Sequence, residues 1–556
     1  MAESTLTTAS VRIAALGGLG EIGLNLMVIE CAGRAIIIDC GVMFPDEPAL
    51  GMGTYVPDLT WLERGQFAID AIVLTHAHED HIGALPHLLR RFRAPVYGTQ
   101  VTLAFARRRL VEAEFRDSTD LREMVPRRTF EAGPFTIEPI AVTHSTPESV
   151  ALAIRTPAGI IVHSGDFKID DAPVDGQKFD RERFAELGRE GVALLLSDST
   201  NVERPGRSGS ESSIKPVLRE LTSRTRGRFF LSAFSSHLHR IRQAVEVSRE
   251  FGRMVVPLGR RMAESVRLGR EIGQLQFGPG VFAEPEEAEF IEPRKLSFLA
   301  SGSQGEPLSA LAKLATDSHP HVHIEAGDVV TLSSRFIPGN ERTINRLVNR
   351  LYKQGADVVY DAVAPVHVSG HASQDELAEL ITLTRPRWFV PIHGEYRHLS
   401  RHVALAIAAG VDACDCFLLE DGGSLIMNAN GARRGNSVPA GRVILEGAEA
   451  GDPAVVDERR ALARDGTVTA IVVLSAKSGK IIAGPDLVSR GLVTGDGTSV
   501  HMQRAREELI RRLRAMNGCL GANEPEVKDA IVRSVRRYFS DELGKRPIVI
   551  PYVTEV

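Results

Sequence analysis

The chain has 556 residues, more than one hydrophobic core accommodates, which predicts about two to four domains. Charged residues make up 25% of the chain and hydrophobic residues 43%, the ordinary balance of a soluble globular protein. The 66 lysines and arginines against 71 aspartates and glutamates give a formal charge of −5, which argues against a generic basic coat for nucleic acid but allows a local positive groove.

The sequence carries no sign of export or membrane insertion. Residues 1–10 are polar and lack the basic start and apolar run of a signal peptide. No stretch reaches the roughly 18 apolar residues that a membrane helix needs. The five cysteines lack the spacing of a disulfide framework, and Cys414 and Cys416 are expected to be small buried side chains rather than metal ligands. We therefore predict a cytoplasmic protein with no membrane partner.

The first 200 residues favour short strands. Apolar runs predict strands over Val11–Leu16, Leu24–Glu30, Ala35–Asp39, Ala71–Thr75, Thr136–Val142, Val150–Thr156, Gly159–His163 and Val192–Ser197. A helix is predicted over Ile82–Arg91, where Pro86 lies early enough to be tolerated.

Beyond Asn201–Ser213, which is rich in Gly, Ser and Arg, strands and helices alternate, as in an α/β layer with a largely parallel sheet. The predicted elements are Arg228–Ser232, Gln243–Phe251, Met254–Pro257, Lys295–Ala300, Asp357–Ala362 and Trp388–Pro391. A separate small α/β domain without a catalytic constellation is predicted from the strand Thr467–Leu474, the helices Met502–Met516 and Glu526–Leu543, and the strand Pro547–Tyr552.

The strongest chemical signal is the sequence His76-Ala-His78-Glu-Asp80-His81, which directly follows a predicted strand. Alternate side chains of an extended segment point to the same side, so His76 and His78 are expected to face one site. Asp80 and His81 aim elsewhere as the chain turns into a helix, and Asp80 is suited to cap that helix. Imidazoles and a carboxylate suit zinc or manganese, so the pattern predicts a metal site rather than a solvated loop.

Four later residues extend this set, each on a loop after a predicted strand: His144, Asp166, His371 and His393. Any one of them alone would more often be an ordinary surface or core residue. Loops at the C-terminal ends of strands in open α/β sheets are, however, where sites assemble, so together they predict a binuclear centre.

This ordered set of residues resembles the metallo-β-lactamase superfamily. Resemblance to the β-CASP nucleases of that superfamily comes from Ser197–Asn201, Val366–Ala372 and Pro391–Glu395. Resemblance to the bacterial ribonuclease J family in particular comes from Leu16–Gly23, Gly302–Pro307 and Ile337–Glu341.

The resemblance implies an α/β fold in which a metallo-β-lactamase αββα sandwich carries an inserted β-CASP α/β domain and a small C-terminal α/β domain. The sandwich is expected over residues 1–205 and 361–435, and the β-CASP domain over residues 206–360. A linker at 436–450 would lead to the C-terminal domain at 451–556.

The resemblance also implies two divalent metal ions per chain, Zn²⁺ or Mn²⁺. The implied ligands are His76, His78 and His144 for one ion, Asp80, His81 and His393 for the other, and Asp166 between them. Asp80 would in addition orient the attacking hydroxide, and Asp39 and Asp198 would support the ligands without binding metal.

In the family pattern His367, Ser369 and His371 contact the scissile phosphate, and His371 donates a proton to the departing 3′-oxygen. Their spacing agrees, because alternate residues of an extended chain share a face. Ser235 is expected to contact phosphate, whereas Phe234 either stacks on a base or packs in the core. The family commonly has Ser-Asn where this chain has Ser236-His237, so no role is assigned to His237.

The implied activity is hydrolysis of single-stranded RNA in maturation and decay, as a 5′-to-3′ exonuclease and an endonuclease that leaves 5′-monophosphates. A homodimer or homotetramer is expected from the same resemblance. Three alternatives stay open: a small-molecule hydrolase of this fold, a DNA-processing nuclease, and a catalytically silent RNA-binding protein. The long insertion between Ser213 and His367 favours a polymer over a small substrate, and the complete set of ligands disfavours the silent protein.

Overall fold

The computed structural model describes residues 10–44, 53–115, 118–336, 340–446, 449–450, 453–478, 480–492, 497–516 and 524–556. These residues form two compact units, a larger one made of 10–44 and 55–443 and a smaller one made of 53–54 and the described residues from 444 onward. In the stretch Ile337–Glu341, the first three residues lie outside the described ranges. Within those ranges no helix is long and apolar enough to cross a membrane.

The first part of the larger unit is rich in strands. They are β1 (Val11–Gly17), β2 (Leu19–Gly20), β3 (Leu26–Cys31), β4 (Arg34–Ile38), β5 (Thr54–Pro57), β6 (Ala68–Val73), β7 (Val96–Gly98), β8 (Leu121–Glu123), β9 (Phe130–Ala132), β10 (Phe135–Ala141), β11 (Val150–Thr156), β12 (Gly159–His163) and β13 (Val192–Asp198). The helices of this part are α1 (Thr60–Arg64), α2 (Glu79–Ile82), α3 (Leu85–Leu89), α4 (Gln100–Glu112) and α5 (Arg181–Glu190).

The chain then alternates strands and helices. The next elements are α6 (Ile214–Arg224), β14 (Phe229–Ser232), α7 (Leu238–Glu250), β15 (Met254–Leu258), α8 (Arg260–Glu271), β16 (Leu296–Ala300), α9 (Ala310–Ala315), β17 (Val329–Leu332), α10 (Glu341–Lys353) and β18 (Asp357–Val359). After them come α11 (Gln374–Thr384), β19 (Trp388–Ile392), β20 (Gly394–Glu395), α12 (Tyr396–Ala408), β21 (Ser424–Met427) and β22 (Ala432–Arg434). The remaining elements are β23 (Arg442–Glu446), β24 (Glu449–Ala450), α13 (Pro453–Asp465), β25 (Thr467–Leu474), β26 (Ile481–Arg490), α14 (Gly497–Ala515), α15 (Glu524–Leu543) and β27 (Ile548–Glu555).

Two sheets pack face to face in the larger unit. One has the strand order β22-β21-β1-β3-β4-β6-β7-β8 and the other the order β19-β13-β12-β11-β10-β9. Apolar side chains of both sheets, such as Ile36 and Val73 from the first and Leu152 and Leu194 from the second, form one buried cluster. The outer face of the second sheet packs on α5 and α11 through residues that include Leu187. The predicted αββα sandwich is therefore confirmed.

The strand pairings β4–β6, β12–β13 and β13–β19 are parallel, so their C-terminal ends lie at one edge of each sheet. Between β13 and β19 the chain builds a separate parallel sheet of order β15-β16-β14-β17-β18. Phe230, Phe298 and Leu351 belong to the apolar core of that inserted domain. The α/β insertion predicted from alternating elements is present.

The smaller unit contains a three-stranded sheet of order β26-β25-β27, in which β25 is antiparallel to β26 and parallel to β27. Every second residue of β25 is buried, and Val468 and Val472 pack with Leu509 of α14 and Phe539 of α15. Because both helices lie on that side, the opposite face of the sheet carries the exposed side chains.

The predicted strands agree with the observed ones to within a few residues, but three other predictions are wrong. In place of the single helix predicted over Ile82–Arg91, the structure has two short helices, α2 and α3. Gly83 lies between them, and a Cβ on this residue would lie 2.5 Å from the Glu79 carbonyl oxygen. The N-cap of α2 is His78, while Asp80 lies in the first turn and makes no capping bond. Cys414 is exposed rather than buried.

Glu21 and Asp421 form a pair of neighbouring carboxyl groups beside β2. The Leu19 N–H donates to Asp421 Oδ1 at 2.9 Å, and Arg442 Nε donates to Glu21 Oε2 at 2.7 Å. Burial, reinforced by the negative charge of Glu21, raises the pKa of Asp421 to about 8. The Asp421 carboxyl is therefore mostly protonated at neutral pH.

We expect Asp421→Asn to flatten the dependence of stability on pH. Because the pKa of Asp421 is higher in the folded than in the unfolded chain, its contribution is fully present below about pH 4 and is lost as the pH rises through about 8. Between pH 5 and 9 the Tm of the natural chain should fall by roughly 2–4 °C more than that of the variant. Asp361→Asn, at an exposed position, is the control. Parallel Tm curves for Asp421→Asn and the natural chain would contradict the raised pKa of Asp421.

Candidate metal centre

Seven predicted ligands meet where the two sheets present their C-terminal strand ends. They are His76, His78, Asp80 and His81 after β6, His144 after β10, Asp166 after β12 and His393 after β19. Four strands thus deliver side chains from distant parts of the sequence to one place, as expected for an α/β site.

The first group of converging donor atoms comes from His76, His78, His144 and Asp166, all within 4.8 Å of one another. Nδ1 of His78 lies 3.1 Å from Nε2 of His76 and 3.1 Å from Nε2 of His144. The carboxylate Oδ2 of Asp166 is 3.6 Å from Nε2 of His76. Three imidazoles and one carboxylate therefore surround a common point.

The second group consists of Asp80, His81, Asp166 and His393. Oδ2 of Asp166 lies 3.2 Å from Nε2 of His81, and Oδ1 of Asp166 lies 2.9 Å from Nδ1 of His393. Oδ2 of Asp80 is 3.4 Å from Nε2 of His393, a buried nitrogen without a hydrogen bond among the described residues. Asp166 belongs to both groups, which is the position expected of a bridging carboxylate, and it also lies in a third group of donor atoms with Asp198, His371 and His393.

The electrostatics of the first group suit a cation. Burial, together with neighbouring histidines, holds the pKa of His76 and of His144 well below the usual range and lowers the pKa of His78 to about 4. All three imidazoles are therefore neutral at physiological pH. A neutral imidazole has a free nitrogen lone pair, the form that binds divalent metal.

The second group carries an excess of negative charge. Burial lowers the pKa of His81, but the carboxylates of Asp166, Asp80 and Asp39 outweigh it and raise this pKa to about 10. The same balance, led by Asp166, raises the pKa of His393 well above its usual value. In the metal-free chain these protonated imidazoles supply the positive charge that the carboxylates require. A divalent cation would supply that charge instead, so the donor set fits one.

Asp39 orients ligands and does not join either group. Its carboxylate accepts hydrogen bonds from the Thr75 N–H and the Thr75 hydroxyl, each at 2.8 Å, and lies 2.8 Å from Nδ1 of His81. The Thr75 hydroxyl oxygen is also 3.0 Å from Nδ1 of His76. One carboxylate thereby fixes the rings of two histidines, which agrees with the supporting role expected of Asp39.

Three further supporting residues were not found from the sequence. Oγ of Ser145 lies 3.0 Å from Nε2 of His78, which leaves Nδ1 of that ring for the centre. The carbonyl oxygen of Gly370 lies 2.8 Å from Nδ1 of His144. Nδ2 of Asn25 donates to the Asp80 carbonyl oxygen at 3.0 Å. Ser145 directly follows a predicted ligand, a signal that could have identified it; the other two depend on tertiary approach.

Asp198 and His371 form a pair at the edge of the centre. Nδ1 of His371 lies 2.8 Å from Oδ2 of Asp198 and 3.9 Å from Oδ2 of Asp166. Burial lowers the pKa of His371, but Asp198 outweighs it and raises this pKa. The His371 side chain is 21% exposed, so the ring is open to solvent.

The other predicted phosphate contacts are close to this pair in sequence. Ser369 accepts the His371 N–H on its hydroxyl oxygen at 3.1 Å. Burial, together with the positive charge of Arg240, lowers the pKa of His367 to about 3, so this ring is neutral. Nδ1 of His367 is buried without a hydrogen bond among the described residues.

Phe234 and Ser235 are half-buried in the turn between β14 and α7. His237, the departure from the family pattern, is the N-cap of α7 and accepts the Arg240 N–H on its ring at 3.4 Å. In the glycine-rich stretch Gly302–Gly305, the Gly305 N–H donates a hydrogen bond to the Gly302 carbonyl oxygen at 3.0 Å. This N–H is therefore already bonded within the turn.

Models of four protein families match this chain. The metallo-beta-lactamase superfamily matches residues 20–194, and the beta-CASP domain of ribonuclease J matches residues 226–351. The Zn-dependent metallo-hydrolase RNA specificity domain matches residues 355–414, and the ribonuclease J C-terminal domain matches residues 454–556.

Whole-chain relatives agree with these matches. Ribonuclease J of Mycobacterium tuberculosis is 37% identical over 557 residues, which span 99% of this chain and 98% of that protein. Ribonuclease J of Helicobacter pylori is 36% identical over 98% of this chain and 79% of its own length, and ribonuclease J2 of Bacillus subtilis is 32% identical over 99% of each.

A crystal structure of a protein of unknown function from Enterococcus faecalis shares the fold, with a TM-score of 0.52 and 15% identity over 75% of this chain and 100% of that one. The centre built from histidines and aspartates is what a metal-dependent hydrolase of this fold requires. Family models and relatives that cover nearly the whole sequence show that this chain belongs to the ribonuclease J family and is a metal-dependent ribonuclease.

Proposed function

We propose that this chain hydrolyses single-stranded RNA as a 5′-to-3′ exonuclease and as an endonuclease, and that its products in RNA maturation and decay carry 5′-monophosphates. The observation that carries the proposal is the convergence of the six other ligands on Asp166, with the Asp198–His371 pair beside them. We assign the metal ligands as His76, His78, Asp80, His81, His144, Asp166 and His393, and the ions as Zn²⁺ or Mn²⁺.

Divalent cations held by these ligands would supply electrostatic chemistry: they would lower the pKa of a water molecule and stabilise charge on the phosphate. Asp80 is the ligand with the most accessible carboxylate, 31% exposed, and therefore orients the attacking water. The new bond joins the water oxygen to phosphorus, and the bond that breaks joins phosphorus to the 3′-oxygen. The phosphate consequently stays on the 5′-carbon of the downstream nucleotide, and the ribose 2′-hydroxyl takes no part.

His371 supplies the proton for the departing 3′-oxygen. Nδ1 of its ring is held by Asp198 at 2.8 Å, which leaves Nε2 as the nitrogen that faces the leaving group. The raised pKa favours the protonated ring, and proton donation by a positioned side chain accelerates such steps about 10²–10⁴-fold.

The RNA backbone is held next to the centre by His367, Ser369 and His371, with Ser235 on the inserted domain. Hydroxyl and imidazole groups donate hydrogen bonds to phosphate oxygens without reading the base. Phe234 offers a half-buried ring beside Ser235 for stacking on one base, which suits single-stranded RNA of any sequence.

A DNA-processing nuclease of the same fold is the second candidate. The assigned contacts reach the phosphate, which RNA and DNA share. The match of residues 355–414 to an RNA specificity domain favours RNA. The comparison of matched RNA and DNA substrates decides between the two.

We further propose that the chain works in the cytoplasm as a homodimer or homotetramer, with domain boundaries at about 205, 360, 435 and 450 in the sequence. Support for an oligomer comes from the uncovered face of the β26-β25-β27 sheet, where Ile471, Val488, Ile550 and Tyr552 are exposed. Contiguous apolar side chains on a surface favour contact with another protein.

The central prediction is metal-dependent cleavage of RNA that requires His78. With 5′-monophosphorylated single-stranded RNA and Mn²⁺ or Zn²⁺ we expect 5′-mononucleotides, no product in EDTA and no cleavage of matched DNA. His78→Ala should lower the rate by more than about 100-fold and the bound metal measured by mass spectrometry, because the ring contributes a ligand atom. His321→Ala, on the exposed surface of the insertion, should match the natural chain. Cleavage of DNA alone would establish the second candidate.

A second prediction separates the proton donor from the ligands. His371→Ala should lower kcat by roughly 10²–10⁴-fold while the two metal ions stay bound, because the residue donates a proton and does not hold metal. Asp198→Asn should also lower kcat, but by less, because the His371 ring stays in place and its Nδ1 faces an amide instead of a carboxylate. Loss of metal from His371→Ala, or a rate within a few-fold of the natural chain, would refute this role.

A third prediction concerns the sheet face. Ile550→Asp with Tyr552→Glu should shift the mass measured by light scattering from an oligomer toward a monomer, because charges on an apolar contact must be desolvated. Leu308→Asp, at an exposed residue of the insertion, should leave the mass unchanged. An unchanged mass in the double variant would place the oligomer contact elsewhere.

A further inference from the structure

The phosphate-binding loop, defined here as residues 366–371, contains no helix or strand. It carries three of the four proposed phosphate contacts, and the Gly370 carbonyl oxygen in it orients the metal ligand His144 at 2.8 Å. A segment without backbone pairing of its own keeps one conformation only where other groups hold it. Its geometry relative to the metal centre therefore depends on what binds its two ends.

At the first end of the loop, two side chains of the inserted domain hold the carbonyl oxygen of Val366. Nη1 of Arg240 donates to it at 3.0 Å, and the Ser333 hydroxyl donates to it at 2.6 Å. Arg240 comes from α7, Ser333 directly follows β17, and both residues are buried. The insertion thus contacts the loop at the residue before His367.

The direction of the Arg240 side chain is set by a buried ion pair with Glu211. Nε donates to Oε1 of Glu211 at 2.6 Å, and Nη2 donates to Oε2 at 2.8 Å. Gln243 adds a bond from Nε2 to Oε1 of Glu211 at 3.0 Å. A guanidinium is a rigid planar fork, so this two-point contact also fixes where its third nitrogen, Nη1, points.

Glu211 connects its ion pair with Arg240 to the metallo-β-lactamase sandwich. Its backbone N–H donates to Oδ2 of Asp170 at 2.9 Å, and Asp170 lies four residues after the shared ligand Asp166. At the other end of the loop, the His371 carbonyl oxygen accepts bonds from Nδ2 of Asn201 at 3.1 Å and from the Ser208 hydroxyl at 2.6 Å. Both loop ends are therefore held, one by the insertion and one by the chain leading into it.

We propose that Glu211, Arg240 and Ser333 form a positioning clamp that sets the phosphate-binding loop against the metal centre. None of the three touches the scissile phosphate; each acts through Val366. The clamp links the insertion to the reaction, because the loop takes its active geometry only when α7 and the end of β17 are in place. The proposal rests on the proposed function in one respect, the binding of the scissile phosphate by this loop.

Ser333→Ala tests the clamp, because it removes the hydroxyl that donates to Val366 and accepts from Nη1 of Arg240, without leaving a buried charge. Its matched control is Ser248→Ala, which removes a buried hydroxyl of α7 that bonds only to the Ala244 carbonyl oxygen. Arg240→Lys is the second variant, since it keeps a charge beside Glu211 but loses the planar fork. The measurements are kcat and KM on single-stranded RNA with metal, and hydrogen exchange of residues 366–373 in the metal-free chain without RNA.

We expect Ser333→Ala to lower kcat by about 10-fold with KM changed less than about 2-fold, since misplacing reacting groups by 1 Å costs up to about 10²-fold. Exchange across residues 366–373 should accelerate in this variant and not in Ser248→Ala. Arg240→Lys should show larger changes of the same kind, and if it does not fold, Ser333→Ala decides. Equal kinetics and exchange in the two serine variants, or a raised KM with unchanged kcat, would overturn the clamp. Failure of the natural chain to cleave RNA would instead refute the proposed function, while the exchange data would still test the clamp.

Discussion

A single buried carboxylate, that of Asp166, is the charge around which the site is organised. Buried charge is tolerated only where opposite charge or hydrogen bonds compensate it. Donor atoms of histidines from β6, β10 and β19 converge on it, and His81 and His393 are protonated in its field. The strands β6, β10 and β19, which end at this edge of the sandwich, each deliver at least one of these partners.

The surroundings of the ligands show how much structure a small site requires. Asp39 fixes His81 and Thr75 fixes His76, while Ser145 settles which nitrogen of His78 faces the centre. Two of the residues involved, Asp39 and His393, have positive φ angles of 60° and 51°, a backbone conformation that residues other than glycine rarely adopt. The close packing around the centre holds this strain in place.

Much of this site could be predicted from the sequence, because period-two alternation in His76 and His78 and the loops after apolar runs follow from local rules. The strands were also predictable for that reason. The break between α2 and α3 was not, and neither was the close approach of Val42, whose Cγ2 would lie 2.7 Å from a Cβ on Gly83. The hydrogen bond between Gly370 and His144 joins residues 226 positions apart, and the bond between Asn25 and Asp80 joins residues 55 positions apart. No local sequence pattern encodes such separations. The helix-capping role of His237 became visible only with its geometry.

The neighbouring placement of β13 and β19 has a consequence for how such a nuclease could arise. These strands pair in parallel, so a crossover connection must join the end of one to the start of the other, whether that connection is short or long. The entropy of closing a loop grows slowly, by about 0.6 kcal/mol for each doubling of length, so the crossover tolerates an entire domain at little cost. A compact hydrolase of this fold can therefore acquire the whole inserted domain in one insertion without disturbing the strand ends that carry its cluster of histidines and aspartates.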